Sequence, residues 1–316
     1  MQNFIFSVNV VLPLIIMMSL GWVLKYLKVC DENFFKTANK LTFKLFLPLM
    51  LFNNIYSGDI KSSFNIRLIV FVVASILITV ILMTLIVPRL EKQNSNRGVL
   101  IQALFRSNYI LFGVPVCMNL FGQADIGITS MLAVFVVPLY NFLSVVVLFI
   151  YANKGNSENM EIKKTAMDIV KNPLILACVI GIATASIGIK LPNVLEKTIT
   201  DISKIATPFA LIILGGDFGI KDAVKNIKYI VWVSVFKLIV IPGIIILSAI
   251  LIGFRQVELG VLLSIFASPI AIASYIMAQN VKSNDELAGQ LVATTTILSS
   301  FTIFFFILIL KNFSFI

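Results

Sequence analysis

Apolar stretches of about twenty residues, separated by short polar connections, set the rhythm of the chain. Each is long enough for a helix to cross a bilayer at 1.5 Å per residue. The stretches fall at 4–27, 34–57, 66–88, 98–121, 125–151, 171–189, 195–217, 227–252, 258–280 and 287–310. Ten transmembrane helices are expected. A membrane barrel would instead show short segments of alternating polarity, which these continuous runs do not. The longest connection, 152–170, is rich in Lys, Glu, Asn, Ser and Gly and lies near the middle of the chain, so it reads as a cytoplasmic linker between two halves, 1–151 and 171–316.

Composition agrees with that pattern. Hydrophobic residues make up 59% of the 316, charged residues 13%, and mean hydropathy is +1.00, values that exclude a soluble globular domain. The net charge of +10 comes from Lys and Arg scattered at the ends of apolar runs. Such scatter marks topology rather than a nucleic-acid face. With the N-terminus outside, fifteen basic residues fall on inside loops and six on outside loops, which places both termini outside the cell membrane. The first apolar run has no basic residue ahead of it and continues past the length of a signal peptide, so it is retained as the first helix. There is no histidine, and Cys30, Cys117 and Cys178 have no paired spacing. No metal, cofactor or disulfide framework is expected.

The halves repeat each other at an offset of 160 residues. Pro13 and Gly21 match Pro173 and Gly181, Lys44 and Pro48 match Lys204 and Pro208, and Asp125 matches Asp285. Five helices separate each pair, and an odd number inverts the second copy. The fold class is therefore an all-α membrane protein of two inverted five-helix repeats, an arrangement that alternating-access transporters use.

Candidate chemistry gathers in the fourth span, where Arg106, Ser107, Asn108, Gly113 and Pro115 interrupt the apolar run. A mid-span proline removes a backbone donor and clashes with the preceding turn, so the helix is expected to break there. Its partner at the offset, the ninth span, carries Ser268, Pro269, Ser274 and Tyr275 at equivalent depth. If both helices break and cross at mid-membrane, their N-terminal ends aim partial positive charge at the crossing, which suits an anion such as a carboxylate. Asn108 would supply a donor and an acceptor, with the hydroxyls of Ser268 and Ser274 completing the lining. Pro115 alone is equally the mark of a kinked, packed helix. Arg106 and Lys237 are cations within apolar runs that need a partner, a cavity or a route to the interface. Lys44 and Lys204 lie near helix ends and can snorkel. Asp217 is a candidate for cation or proton coupling, or simply a capped helix end. Asn141 is polar at buried depth, and Thr294, Thr295 and Thr296 can bond back to their own helix.

Asn108-x-x-x-x-Gly113-x-Pro115, followed by Gly122 and Asp125, resembles the fourth-helix signature of the auxin efflux carrier family, whose bacterial members include malate permeases. Ser268-Pro269 and the segment from Asn284-Asp285 to Thr294-Thr295-Thr296 resemble its C-terminal part, and the likeness spans the whole chain. The resemblance implies a scaffold of spans 1, 2, 6 and 7 and a moving transport domain of spans 3–5 and 8–10. It also implies spans 4 and 9 crossing at the substrate site, elevator-type motion and a homodimer. Plant auxin carriers have proline where this chain has Ser274, and many have a long cytoplasmic loop that is absent here. A small organic anion such as malate is thus favoured over auxin. The expected function is secondary transport of organic anions. The alternative is a cation- or proton-coupled symporter or antiporter of similar fold. An intramembrane enzyme is not expected, because no nucleophile–base pair or paired acids occupy a span.

Overall fold

The computed structural model describes residues 2–57, 65–121, 126–153, 171–217 and 226–316, with no strand among them. Gly122, Asp125 and the linker from 154 to 170 lie outside the described residues. Helix α1 is Gln2–Tyr26, α2 is Glu32–Leu41 and α3 is Leu47–Tyr56; α4 is Ile66–Leu90, α5 Asn94–Phe105, α6 Val114–Phe121 and α7 Ile126–Asn153. In the second half α8 is Pro173–Ile187, α9 Asn193–Ser203, α10 Ala206–Asp217, α11 Ile227–Val235, α12 Ile241–Ile252, α13 Gln256–Phe266, α14 Ala273–Asn280 and α15 Asp285–Asn312. Five described stretches are long and apolar enough to cross a membrane: Ile66–Leu90, Leu132–Ala152, Asn193–Gly216, Ile227–Ile252 and Asp285–Asn312.

The helix starts are set by asparagine and aspartate. Asp31, Asn65, Asn172 and Asn284 each accept a hydrogen bond from a backbone N–H in the first turn of α2, α4, α8 and α15, at 2.8, 3.1, 2.9 and 3.0 Å. Such caps satisfy donors that the helix cannot pair internally. Outward faces are as apolar as inward ones. On α4, Val72, Ile76, Val80, Met83 and Val87 are buried, while Val70, Leu77, Ile81 and Leu85 are exposed. A helix apolar all round fits a lipid solvent, which accepts both faces.

Three helices widen into a π-helical turn just ahead of a proline. Thr42–Phe46 joins α2 to α3 before Pro48, Tyr109–Gly113 leads into α6 before Pro115, and Phe236–Val240 joins α11 to α12 before Pro242. In each, the residue before the proline donates five residues back: Leu47 to Thr42, Val114 to Tyr109 and Ile241 to Phe236. Proline has no N–H to return and crowds the carbonyl four residues earlier, so a wider turn lets the chain continue without a sharp bend.

Helix α1 packs on α10, α3 on α8 and α9, α5 on α4 and α7, and α14 on α15. The first of these contacts is so close that side chains are excluded from it. A Cβ on Gly21 would lie 1.9 Å from the Ile212 carbonyl oxygen, and one on Gly215 would lie 1.8 Å from that of Met18. Backbone meets backbone, as small residues allow between membrane helices. Gly215→Ala is therefore expected to force α1 and α10 apart, at a cost of about 1–3 kcal/mol, and to lower the melting temperature of the purified protein in detergent. An unchanged melting temperature would show that this contact is looser than described.

Candidate functional site

Helix α5 stops at Phe105, and Arg106, Ser107 and Asn108 run on in non-helical conformation. The interruption thus falls several residues ahead of Pro115, which sits at the second position of α6. Proline weakens the helix, but the wider turn absorbs it. The second interruption separates α13 from α14, covering 267–272. The two join backbone to backbone: Asn108 N–H donates to the Pro269 carbonyl at 2.7 Å. The carbonyl of Asn108 in turn accepts from Phe112 and Gly113 N–H at 3.1 and 3.3 Å, starting the π turn. With both its backbone groups engaged, Asn108 keeps its side chain free, and its buried Nδ2 has no partner.

Gly113 lets the two segments touch. A Cβ there would be 2.6 Å from the Ser264 carbonyl oxygen and 3.1 Å from Ser268 Oγ, so any side chain would push α13 away. Across the other break, Thr295 Oγ1 accepts from Ile270 N–H at 3.2 Å and donates back to Leu291 at 2.7 Å. Thr296 bonds back to Val292 at 2.7 Å. Back-bonding therefore accounts for Thr296 entirely, whereas Thr295 also holds the loop.

Between the two breaks lies a cavity of about 60 Å³. Arg106, Ser107, Asn108, Tyr109 and Ile110 line it on one side, the start of α14 with Ala271, Ile272 and Ala273 on another, and α7 with Val137, Tyr140 and Asn141 on a third. Helices α3, α8 and α10 close it through Met50, Asn54, Leu174, Thr207 and Ala210. The space corresponds to roughly four waters, enough for a small ligand head group. Asn54 Nδ2, also buried, is without a partner, so two amide donors are unsatisfied at this cavity.

Both cations singled out in the sequence are enclosed at this place. Arg106 is 4% exposed and Lys237 1%. Arg106 donates through one terminal nitrogen to Asn141 Oδ1 at 2.7 Å and through the other to Met277 Sδ at 2.8 Å. Lys237, on the π turn between α11 and α12, donates to Ser107 Oγ at 2.5 Å. The ion pairs found among the described residues, Lys197 with Asp201 and Lys204 with Asp201, are exposed and involve neither cation. Among the described residues neither enclosed cation meets a carboxylate.

The other expected site residues divide. Ser107 and Asn108 line the cavity, and Pro269 supports Asn108 from behind. Ser268 is buried and donates to its own helix at Ser264, 2.5 Å away, and so does not join the lining. Ser274 is buried with an unpartnered hydroxyl but stands one residue beyond the lining. Tyr275 borders a second cavity of about 240 Å³, with Lys25, Glu32, Lys36, Gln279, Asp285 and Glu286. Asp217 ends α10, and its side chain lies outside the described residues. Asn54 and Met277 were not legible as site residues, although Asn54 is a polar residue in an apolar run and was open to the same argument as Asn141. No group of three or more Cys, Asp or Glu able to hold a metal ion occurs among the described residues.

Residues 6–307 match the membrane transport protein family. The chain belongs to that family. It is the family of auxin efflux carriers to which the fourth-span signature pointed, and it makes this chain a multi-pass membrane transporter rather than an enzyme. The chain is also similar to a protein of Methanocaldococcus jannaschii described as an uncharacterized transporter, at 22% identity over 299 residues, covering 92% of this chain and 94% of the relative.

The Arg106–Asn141 contact can be tested directly. Asn141→Leu would leave a buried guanidinium without its amide acceptor, a loss of about 1.5–3 kcal/mol for a hydrogen bond to a charged group. A lower melting temperature is expected, with most of the loss recovered in the double variant Asn141→Leu/Arg106→Met. If the double variant melts no higher than the single, the pair does not interact as described.

Proposed function

We propose that this transporter carries small organic anions, malate or related carboxylates, across the cell membrane by alternating access. One observation supports it above the others: among the described residues two enclosed cations, Arg106 and Lys237, have only neutral partners, beside a cavity with unsatisfied amide donors. Buried charges are normally paired. A substrate carboxylate is the group that would complete this site, because guanidinium binds it in a two-pronged geometry and amides add neutral donors. No acidic side chain is among the described residues that line the cavity, so the cation-coupled alternative has less in its favour.

The fold proposed is ten spans in two inverted repeats of five, with both termini outside and the breaks crossing at mid-membrane. Register supports it. Helices α7 and α15 begin 159 residues apart, α2 and α9 161, and α5 and α13 162, all close to the offset of 160. The π turn ahead of Pro48 also has a counterpart in the turn at Lys204 and Ile205 ahead of Pro208. In this reading α1–α3 and α8–α10 are the scaffold, while α4–α7 and α11–α15 move as an elevator within a homodimer. The cavity suits that motion, since its walls come from both groups.

Transport of labelled acetate, malate and citrate by the protein in liposomes tests the proposal. At least one of the three is expected to be carried. Arg106→Gln and Asn108→Ala are each expected to weaken its half-saturation by about tenfold or more, the equivalent of 1.4 kcal/mol per tenfold. No flux of any carboxylate, or an Asn108→Ala variant that behaves as wild type, would overturn it.

A further inference from the structure

From the same two cations we infer that the protein is an obligate exchanger, in which one anion must leave for another to enter. The inference rests on the anion-carrier reading above. It concerns what the transport domain can do when its site is empty.

Arg106, Lys237 and all their partners belong to one group of helices. Arg106 and Ser107 follow α5, Asn141 is on α7, Lys237 lies between α11 and α12, and Met277 is on α14. If that group moves as a body, the cations keep the same neutral partners throughout. The scaffold's described acids offer them no replacement. Its described acids sit at helix ends: Asp31 caps α2, Glu32 opens that helix, Glu196 is in the first turn of α9, and Asp201 pairs with Lys197 and Lys204. The moving group's own described acids are also engaged away from the site, Glu91 with Tyr229, Glu258 with Asn65, Asp285 with Gln279 and Glu286 with Gln290.

An empty site therefore crosses the membrane interior with cationic side chains that no described acid balances. A loaded site crosses with those charges met by the carboxylate of its cargo. Charge in a low-dielectric interior is costly unless it is compensated. The empty return is thus the slow step, and a second anion binding on the far side removes it. Fast exchange and slow net flux follow from a site whose counter-charge is the substrate itself.

The test is counterflow. Liposomes containing the full chain are loaded either with an unlabelled carboxylate or with a zwitterionic buffer alone. Uptake of the same labelled carboxylate is then measured, using each of acetate, malate and citrate. Potassium and valinomycin hold the membrane potential at zero, so that back-pressure from moved charge does not slow net uptake. Preloaded vesicles are expected to take up label at least ten times faster than empty ones. Asn141→Asp would place a resident carboxylate beside Arg106, and Lys237→Gln would remove one charge. Either variant is expected to narrow the ratio toward one, chiefly by raising the net rate relative to exchange. Equal wild-type rates in the two kinds of vesicle would overturn the inference while leaving the carrier reading intact. A ratio unchanged in whichever variant folds would also overturn it. No uptake into either kind of vesicle would remove the carrier reading, a separate failure that the first comparison distinguishes.

Discussion

The architecture is organised around holding two cations in the protein interior. On insertion scales a Lys or Arg at the centre of a span costs about 2.5–3.5 kcal/mol, so a chain does not carry two of them by default. Each is instead given a hydrogen-bond partner that is polar but uncharged: an amide and a thioether for Arg106, a hydroxyl for Lys237. Neutral partners hold the side chains in place without cancelling their charge. The interrupted helices, the glycine contact and the threonine brace all serve to bring these partners to one place.

How the two breaks support each other is a matter of backbone accounting. Every unpaired N–H or C=O in a membrane interior is expensive, and a broken helix exposes several. Here the loops supply each other, with Asn108 N–H donating to Pro269 and Ile270 N–H donating to a side chain of α15. Ser264 donates to Val261 within α13, and Ser268, just past its end, donates back to the Ser264 carbonyl. What remains unsatisfied is concentrated in side chains, including Asn108 and Asn54 at the cavity, where a ligand can reach them. The fold thus spends its own hydrogen bonds on the frame and leaves the site short of partners.

Much of this was legible in the sequence because membrane helices obey strong rules of length and polarity. The apolar runs located the helical stretches to within a few residues, and Arg106 and Asn108 stood out as residues that an ordinary span avoids. The position of the first break was less legible. Proline drew attention to residue 115, yet the chain opens at 106–108, because the deciding feature is a bond from Asn108 to a carbonyl some 160 residues away in sequence. The hydrogen bonding of Ser268, which donates to the Ser264 carbonyl, was not legible for a related reason. A hydroxyl in a helix can always bond to its own backbone, and composition does not say which serines will do so. Met277 carries no polar signature at all, and only packing shows that its sulfur receives an arginine.

The π turns have one more implication. A turn of five residues per hydrogen bond acts as an α-helix with a single residue inserted, and each inserted residue rotates the downstream face by roughly 100° relative to the upstream one. Any hydrophobic stripe therefore jumps azimuth as it passes Thr42–Phe46 or Phe236–Val240. The proline two places on acts as a phase lock, since without it the segment could relax to ordinary helical winding. In that state Lys237 would swing toward a different neighbour while its place in the sequence stayed the same. For this chain, then, the prolines at 48, 115 and 242 set the angular registration of the residues before them against those after, in the way a keyway fixes a shaft in its hub.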